Sequence, residues 1–205
     1  MESVISNNLG SERSVEVLFI EEYVKKYYTP GNVVLDIGGI PTNSTHLSKF
    51  YNFLTENRVD YRVSDFRPCN YPGDFVQYDF KDEKFDMAIF LSSLEHFPQC
   101  TESDVVYRHG YDKLGYQKAL SILKPGGYIL LTVPFGKFVW QPYHQNYDWP
   151  GILNLTEGSN IVESYTYRLH EFEGEWRIDN PENMTDILYT HKAYGVGCFV
   201  LQKPM

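Results

Sequence analysis

The sequence predicts a doubly wound α/β chain built on a mainly parallel sheet, and three observations carry that expectation. The first is Val33-Val34-Leu35-Asp36-Ile37-Gly38-Gly39, an apolar run closed by an acid and two glycines. It reads as a strand buried on both faces that opens into a ligand loop, because ligands of such sheets lie beyond the carboxyl ends of the strands. The second is the alternation of short apolar runs with segments of helical spacing from residue 14 to residue 133, which favours parallel strands joined by helices. The third is the ending: Lys124-Pro125-Gly126-Gly127 stops a helix, Tyr128 to Val133 is an apolar strand, and Gly197 to Gln202 is a last strand.

The elements follow in order. Residues 1–12 read as a frayed end. From Ser14, the residues Val15, Val17, Leu18, Phe19, Tyr23, Tyr27 and Tyr28 suit an amphipathic helix, which Pro30-Gly31 stops. After the first strand a helix is expected over about 44–57, with His46-Leu47, Phe50-Tyr51 and Phe53-Leu54 at helical spacing. Tyr61 to Asp65, Phe75 to Asp79 and Phe85 to Leu91 read as three further strands, the first two ending in an acid. Gly115 to Leu123 reads as a helix. Residues 98–115 and 134–185, the latter rich in Tyr, Trp, His, Asn and Gly, read as insertions or irregular cover on the acceptor side, with one hairpin. No repeat or linker divides the chain, so 1–205 is expected to be a single domain.

Composition narrows the function. With 27 acidic and 18 basic residues among 205, the formal net charge is −9, which disfavours a nucleic-acid partner. Cys69, Cys100 and Cys198 are odd in number and widely spaced, the usage of a reducing compartment. The first residues lack the apolar core of a signal peptide and no run is long enough to span a bilayer, so a cytoplasmic protein is expected.

Asp36, Asp65 and Asp79 at three strand ends would line one rim of the sheet, which suits a cationic or hydroxyl-rich ligand. A strand-end Asp can equally cap a turn or the following helix. A dinucleotide loop would want GxGxxG, yet after Gly38 the next two glycine positions hold Ile40 and Asn43, and Pro41 removes an amide donor.

Taken together, Leu35-Asp36-Ile37-Gly38-Gly39, Asp65-Phe66, Tyr78-Asp79-Phe80, Phe85-Asp86 through Leu94-Glu95-His96-Phe97 and Leu123-Lys124-Pro125-Gly126-Gly127 resemble the class I S-adenosylmethionine-dependent methyltransferases. The resemblance covers about residues 33–135 and the last strand. It implies a Rossmann-like three-layer α/β/α sandwich with an antiparallel last strand, and S-adenosyl-L-methionine as cofactor. It places Asp36, Gly38 and Gly39 by the methionine moiety, Asp65 on the ribose hydroxyls and Phe66 beside the adenine. Asp79 would take the adenine amine, the Phe80 amide would lie nearby, and Leu91 and Ser92 would close the pocket. The family usually carries further glycines where Ile40 and Thr42 stand.

Methyl transfer from a sulfonium needs alignment of nucleophile, methyl and sulfur, and a base when the acceptor is a hydroxyl. His96 is the candidate base and Glu95 its neighbour; each would otherwise serve as an ordinary first-turn helix residue. Some relatives bind a divalent metal through Glu-x-x-Glu-His here, but Ser92 stands in place of the first Glu, so no metal is expected. Tyr107, His109, Tyr143, His144 and Tyr147 are candidate acceptor-binding residues, since aromatics among short polar groups stack on ring or sugar faces. They could equally form an aromatic minicore. Thr132-Val133-Pro134-Phe135-Gly136-Lys137, Tyr147-Asp148 and Trp176 are loosely similar to methyltransferases of bacterial surface-polysaccharide pathways. The expectation is therefore O-methylation of a small molecule or a sugar or glycan precursor. A non-catalytic binding domain and an NAD-dependent oxidoreductase are the rival readings.

Overall fold

The computed structural model describes residues 4–6, 11–39, 45–99, 108–140, 144–188 and 193–205. The elements run β1 (Val4–Ser6), α1 (Arg13–Tyr27), β2 (Val33–Ile37), α2 (Thr45–Glu56), β3 (Asp60–Asp65), β4 (Tyr71–Pro72), β5 (Phe85–Leu91), α3 (Tyr111–Ile122), β6 (Leu123–Pro134), β7 (Val139–Trp140), β8 (Gln145–Asn146), α4 (Trp149–Leu155), β9 (Asn160–His170), β10 (Glu175–Ile178) and β11 (Gly195–Gln202), with 3-10 turns at Leu94–Gln99 and Pro181–Met184.

Nine strands form one sheet in the order β1-β10-β9-β11-β6-β5-β2-β3-β4, and β7 and β8 pair separately. β2 lies parallel to β3 and β5, and β5 parallel to β6. β11 enters antiparallel between β6 and β9. This is the expected doubly wound, mainly parallel sheet with an antiparallel last strand. Chain direction reverses about β2: α2 carries the chain outward to β3, and α3 carries it the other way from β5 to β6. The strand ends part at that switch, and a cavity opens there.

The sequence explains the layers. β5 is buried along almost its whole length because helices cover both faces, hence its near-continuous apolar run. α1 buries Val15, Phe19, Ile20, Tyr23 and Val24 against one face, together with Phe50 and Leu54 of α2. Tyr116, Ala119 and Leu120 of α3 and Ile152 and Leu155 of α4 cover the other face. Tyr28 turns to an extended conformation after α1, before Pro30-Gly31. Asp148 caps α4 by accepting the Gly151 amide at 2.8 Å.

Four expectations are corrected. Phe75 to Asp79 is no strand. The Asp74 side chain accepts the Val76 amide at 3.0 Å, and the Asp74 carbonyl accepts the amides of Gln77 and Tyr78, so these donors are spent in a turn and cannot enter a ladder. Residues 1–12 are not simply frayed, because Val4–Ser6 pairs with Glu175–Arg177 at the sheet edge. α3 starts at Tyr111, four residues earlier than expected, and so takes up part of the 98–115 insertion. Residues 134–185 are not merely cover. β9 and β10 extend the main sheet as a hairpin, and Trp176 of β10 is completely buried.

Because Trp176 belongs to the core, Trp176→Ala should cost about 3–5 kcal/mol of stability, the usual range for deleting a buried large aromatic. Its indole nitrogen has no hydrogen-bond partner among the described residues, so Trp176→Phe should cost under about 2 kcal/mol. Urea unfolding of both variants checks this; equal and small losses would place the hairpin outside the cooperative core.

Candidate functional site

The turn after β2 is held by three strand ends at once. The Gly38 amide donates to the Ser64 carbonyl of β3 at 2.8 Å, and Ser93 Oγ, after β5, donates to the Ile37 carbonyl at 2.6 Å. Gly38 has φ +77°, and a Cβ there would lie 2.6 Å from Ser93 Cβ. A Cβ on Gly39 would lie 1.9 Å from Asp36 Oδ2. Both glycines are therefore demanded by close approach.

Beside this turn lies a cavity of about 280 Å³, lined by Gly38, Ser64, Asp65, Phe66, Asp74 and Phe75, with Ser92, His96, Phe97 and Tyr111 completing its wall. Asp65 is poised at the β3 end, its side chain 10% exposed, and Arg67 holds it in a two-pronged contact, Nε to Oδ1 at 2.9 Å and Nη2 to Oδ2 at 3.1 Å. Asp74 accepts from the Tyr111 hydroxyl and from Arg108 Nη1 at 3.3 Å. Two carboxylates and several aromatic rings on one cavity wall suit a flat ring joined to a hydroxyl-bearing group.

Asp36 is buried beneath the loop. Tyr51 donates to its Oδ2 at 2.6 Å, while Oδ1 has no hydrogen-bond partner among the described residues. Burial pushes its carboxyl up to about 6, partly offset by the Tyr51 bond and reinforced by Asp65. Ser64 Oγ is also buried without a partner, on the cavity wall. Asp36 Oδ1 beneath the turn and Ser64 Oγ on the cavity wall are thus two buried polar atoms that the described residues leave unpartnered.

A second, smaller chamber of about 40 Å³ shares Ser92 and His96 with the first. Its other walls include Glu12, Arg13 and Glu16 of α1, Glu95 and His144. Arg13 Nη1 lies 2.8 Å from Glu16 Oε2 and 3.3 Å from the Leu91 carbonyl, and Ser92 Oγ donates to Glu16. Glu95 is 2% exposed, and its Oε2 has no hydrogen-bond partner among the described residues. Burial pushes its carboxyl up to about 7, Glu16 adds to the rise, and His96 and Arg13 oppose it. His96 is half-exposed, with Nε2 3.9 Å from Glu95 Oε1. Its ring centroid lies 6.4 Å from that of His144, which burial and His96 hold below the ordinary histidine range.

The expected site residues thus divide. Gly38, Asp65, Phe66, Ser92, Glu95, His96 and His144 come together around the two cavities. Gly39 and Asp36 support the loop from below, and Leu91 stands behind it with its carbonyl on Arg13. Asp79 does not reach the cavity. It is exposed and accepts the Lys81 amide at 2.9 Å, so the turn-capping alternative holds for it. Phe80 packs in an aromatic cluster with Tyr71, Phe75 and Phe85. Tyr147 is buried and donates to Asp112 at 2.8 Å, and His109 is exposed in the turn before α3. Tyr107 and Tyr143 lie outside the described residues. Asp74, Phe75, Glu16 and Arg13 are site residues that the sequence reading missed. Pro72-Gly73-Asp74 is a turn signal that places an acid directly after a tight bend, and it could have flagged Asp74. Nothing local marks Glu16 or Arg13. Among the described residues, no three His, Cys, Asp or Glu side chains are grouped to hold a metal ion.

No family model matches the chain, and no curated protein matches it. Solved structures do resemble it. A SAM-dependent methyltransferase from Archaeoglobus fulgidus aligns with TM-score 0.61 at 16% identity, over 94% of this chain and 95% of that one. The N-methyltransferase NodS from Bradyrhizobium japonicum WM9 aligns with TM-score 0.59 at 12% identity, over 98% and 100%. Its complex with S-adenosyl-L-homocysteine gives TM-score 0.59 at 13% identity, over 95% and 88%. The fold is that of these Rossmann-like methyltransferases.

The raised Glu95 carboxyl makes a prediction. Between its unfolded value of 4.5 and its folded value of about 7, the native state keeps a proton that the unfolded chain has released. Stability is therefore lost as pH rises through that window and the loss is complete above it. Glu95→Gln should raise stability by on the order of 1–3 kcal/mol at about pH 8 and by little at about pH 5. Thermal midpoints at the two pH values check it; a gain that does not depend on pH would mean that Glu95 is not the titrating group.

Proposed function

We propose that the protein is an S-adenosylmethionine-dependent methyltransferase acting on a small-molecule acceptor. The observation that carries this is the strand-end cavity. Its lining holds the Asp65 carboxylate at the end of β3, the Asp74 carboxylate from the turn that follows β4, and the rings of Phe66, Phe75 and Phe97. That donor set fits a nucleoside: Asp65 accepts from two ribose hydroxyls, the aromatic rings flank a purine, and Asp74 accepts from an exocyclic amine. The role that the sequence assigned to Asp79 passes to Asp74. The close packing of Gly38 and Gly39, and the unsatisfied Asp36 Oδ1 beneath them, suit a polar amino-acid moiety against the loop. The fold shared with solved methyltransferases supports the same reading.

When bound, S-adenosylmethionine supplies a methyl group already activated on a sulfonium. The chain's own contribution is then to bind, align and dry the reacting groups. Asp65 would have to exchange its contact with Arg67 for the ribose hydroxyls. Arg67 is 56% exposed, so it can swing into solvent at little cost. Ser92 and His96 line both the larger cavity and the smaller chamber, so an acceptor atom held in the chamber would lie next to them.

A hydroxyl acceptor, the expectation from the sequence, needs a base there, and so does an amine that arrives protonated. Glu95 and His96 are the groups in reach. A sugar or glycan precursor remains an acceptor to be tested. A cavity of about 630 Å³ beside Phe135, Asp148, Trp149 and Glu182 offers an aromatic wall and carboxylates of the kind such a group uses.

Calorimetric titration with S-adenosylhomocysteine and NAD tests the assignment: the first should bind and the second should not. Asp65→Ala and Asp74→Ala should each weaken S-adenosylhomocysteine by about 1.5–3 kcal/mol, the range for hydrogen bonds to a charged group, while Asp79→Ala should leave affinity unchanged. Loss confined to Asp79→Ala would restore the sequence-based assignment. Binding of NAD alone would replace methyl transfer with a dinucleotide function.

A further inference from the structure

The smaller chamber has a chemistry of its own. Three carboxylates, Glu12, Glu16 and Glu95, face it against one guanidinium, Arg13. Glu16 is already neutralised, since Arg13 and the Ser92 hydroxyl both bond it. His144 is held below the ordinary histidine range by burial and by His96, which favours its neutral form. Glu12 stands at the N-cap of α1 and acts on the Arg13 guanidinium, whereas Glu95 is almost wholly buried on the chamber wall, with Oε2 lacking any hydrogen-bond partner among the described residues. A buried carboxylate oxygen in that state is costly unless a ligand supplies both a donor and a positive charge.

Resting on the methyltransferase reading above, we infer that the acceptor is an amine, whose protonated nitrogen enters this chamber and is bound and then deprotonated by Glu95. Size agrees: about 40 Å³ admits a head group of a few atoms, and the rest of the acceptor must extend outward. Charge decides between nitrogen and oxygen. A hydroxyl would give Glu95 one hydrogen bond, whereas an ammonium brings up to three donors and a positive charge that favours the ionised carboxylate. Position agrees as well, because Ser92 and His96 wall both cavities and put the nitrogen beside the cofactor site.

The step balances. The ammonium proton passes to the Glu95 carboxylate and frees the nitrogen lone pair. That pair forms the bond to the methyl carbon as the carbon–sulfur bond breaks, its electrons staying on sulfur. The product is a methylated ammonium and a neutral thioether, and protonated Glu95 returns its proton to solvent past half-exposed His96, whose Nε2 lies 3.9 Å from Oε1.

The test compares thermal midpoints at saturating S-adenosylhomocysteine with millimolar phenethylamine, ethanolamine and putrescine, and with their hydroxyl isosteres phenethyl alcohol, ethylene glycol and butanediol. At least one amine should add to the S-adenosylhomocysteine shift, more at about pH 8 than at about pH 6, because the Glu95 carboxylate must be ionised to hold it. Glu95→Gln should abolish the added shift and keep the S-adenosylhomocysteine shift. For the amine that binds, kcat/KM should fall by roughly 10²–10⁴-fold in Glu95→Gln, and in the unsubstituted protein it should rise with pH through neutrality. Alcohols matching the amines, amine shifts that survive Glu95→Gln, or no added shift from any amine while S-adenosylhomocysteine still binds would each overturn the inference and leave the methyltransferase reading standing. No shift with S-adenosylhomocysteine itself would overturn both.

Discussion

The rest of the structure depends on the knot of hydrogen bonds at the end of β2. Gly38 donates to the β3 end and Ser93, after β5, donates back to Ile37, so three parallel strands finish in one rigid corner. Neither bond is strong alone, about 1 kcal/mol net, but each would otherwise leave a buried backbone group unpaired. A Cβ at Gly38 would strike Ser93, and one at Gly39 would strike Asp36. The corner therefore closes only with glycine at both positions, and its closure puts Ser64, Asp65, Ser92 and His96 on one opening.

Several buried or half-buried acids lie in or beside the two cavities, and the fold bears their cost unevenly. Asp36 has the Tyr51 hydroxyl, Glu16 has Arg13 and Ser92, and Asp74 has Tyr111 and Arg108. Glu95 alone of these keeps a buried oxygen with its lone pairs unmet, apart from Asp36 Oδ1 on the other side of the corner. Core acids without partners are ordinarily replaced by apolar residues at no loss of stability. Asp36 Oδ1 and Glu95 Oε2 are the places where the described residues leave a buried carboxylate least satisfied.

Particular stretches show why some elements are legible along the chain and others are not. The β2 and β5 strands read correctly because burial on both faces leaves an unbroken apolar run. α1 and α2 read correctly because a covered face imposes helical spacing. Phe75 to Asp79 shows the alternation of a strand, yet Asp74 captures the amides of Val76, Gln77 and Tyr78 and turns the segment back. The aromatic side chains then pack in a cluster instead of on a pleat. The sequence predicts a hairpin in this region, but not that β9 and β10 extend the main sheet, because their polar, alternating pattern looks like surface cover until β9 pairs with β11 and Trp176 of β10 is buried.

By itself the sequence determined the α/β class with its mainly parallel sheet and the strand that ends in Gly38-Gly39, which follow from local periodicity and from an apolar run closed by two glycines. It also put Asp65 at the end of one strand and Glu95 and His96 just past another, where the structure has β3 and β5 end. Tertiary structure alone decided which acids face the cavity. Asp74 replaces Asp79 because a side-chain cap reverses the turn, a choice made by hydrogen bonds and not by spacing. It decided too that Glu16 and Arg13 join the site, across 76 residues to Ser92 and 78 to the Leu91 carbonyl. Such contacts leave no periodic trace, because the two ends meet only when α1 packs over the sheet, and the burial of Glu95 that gives the chamber its character exists only once they have met.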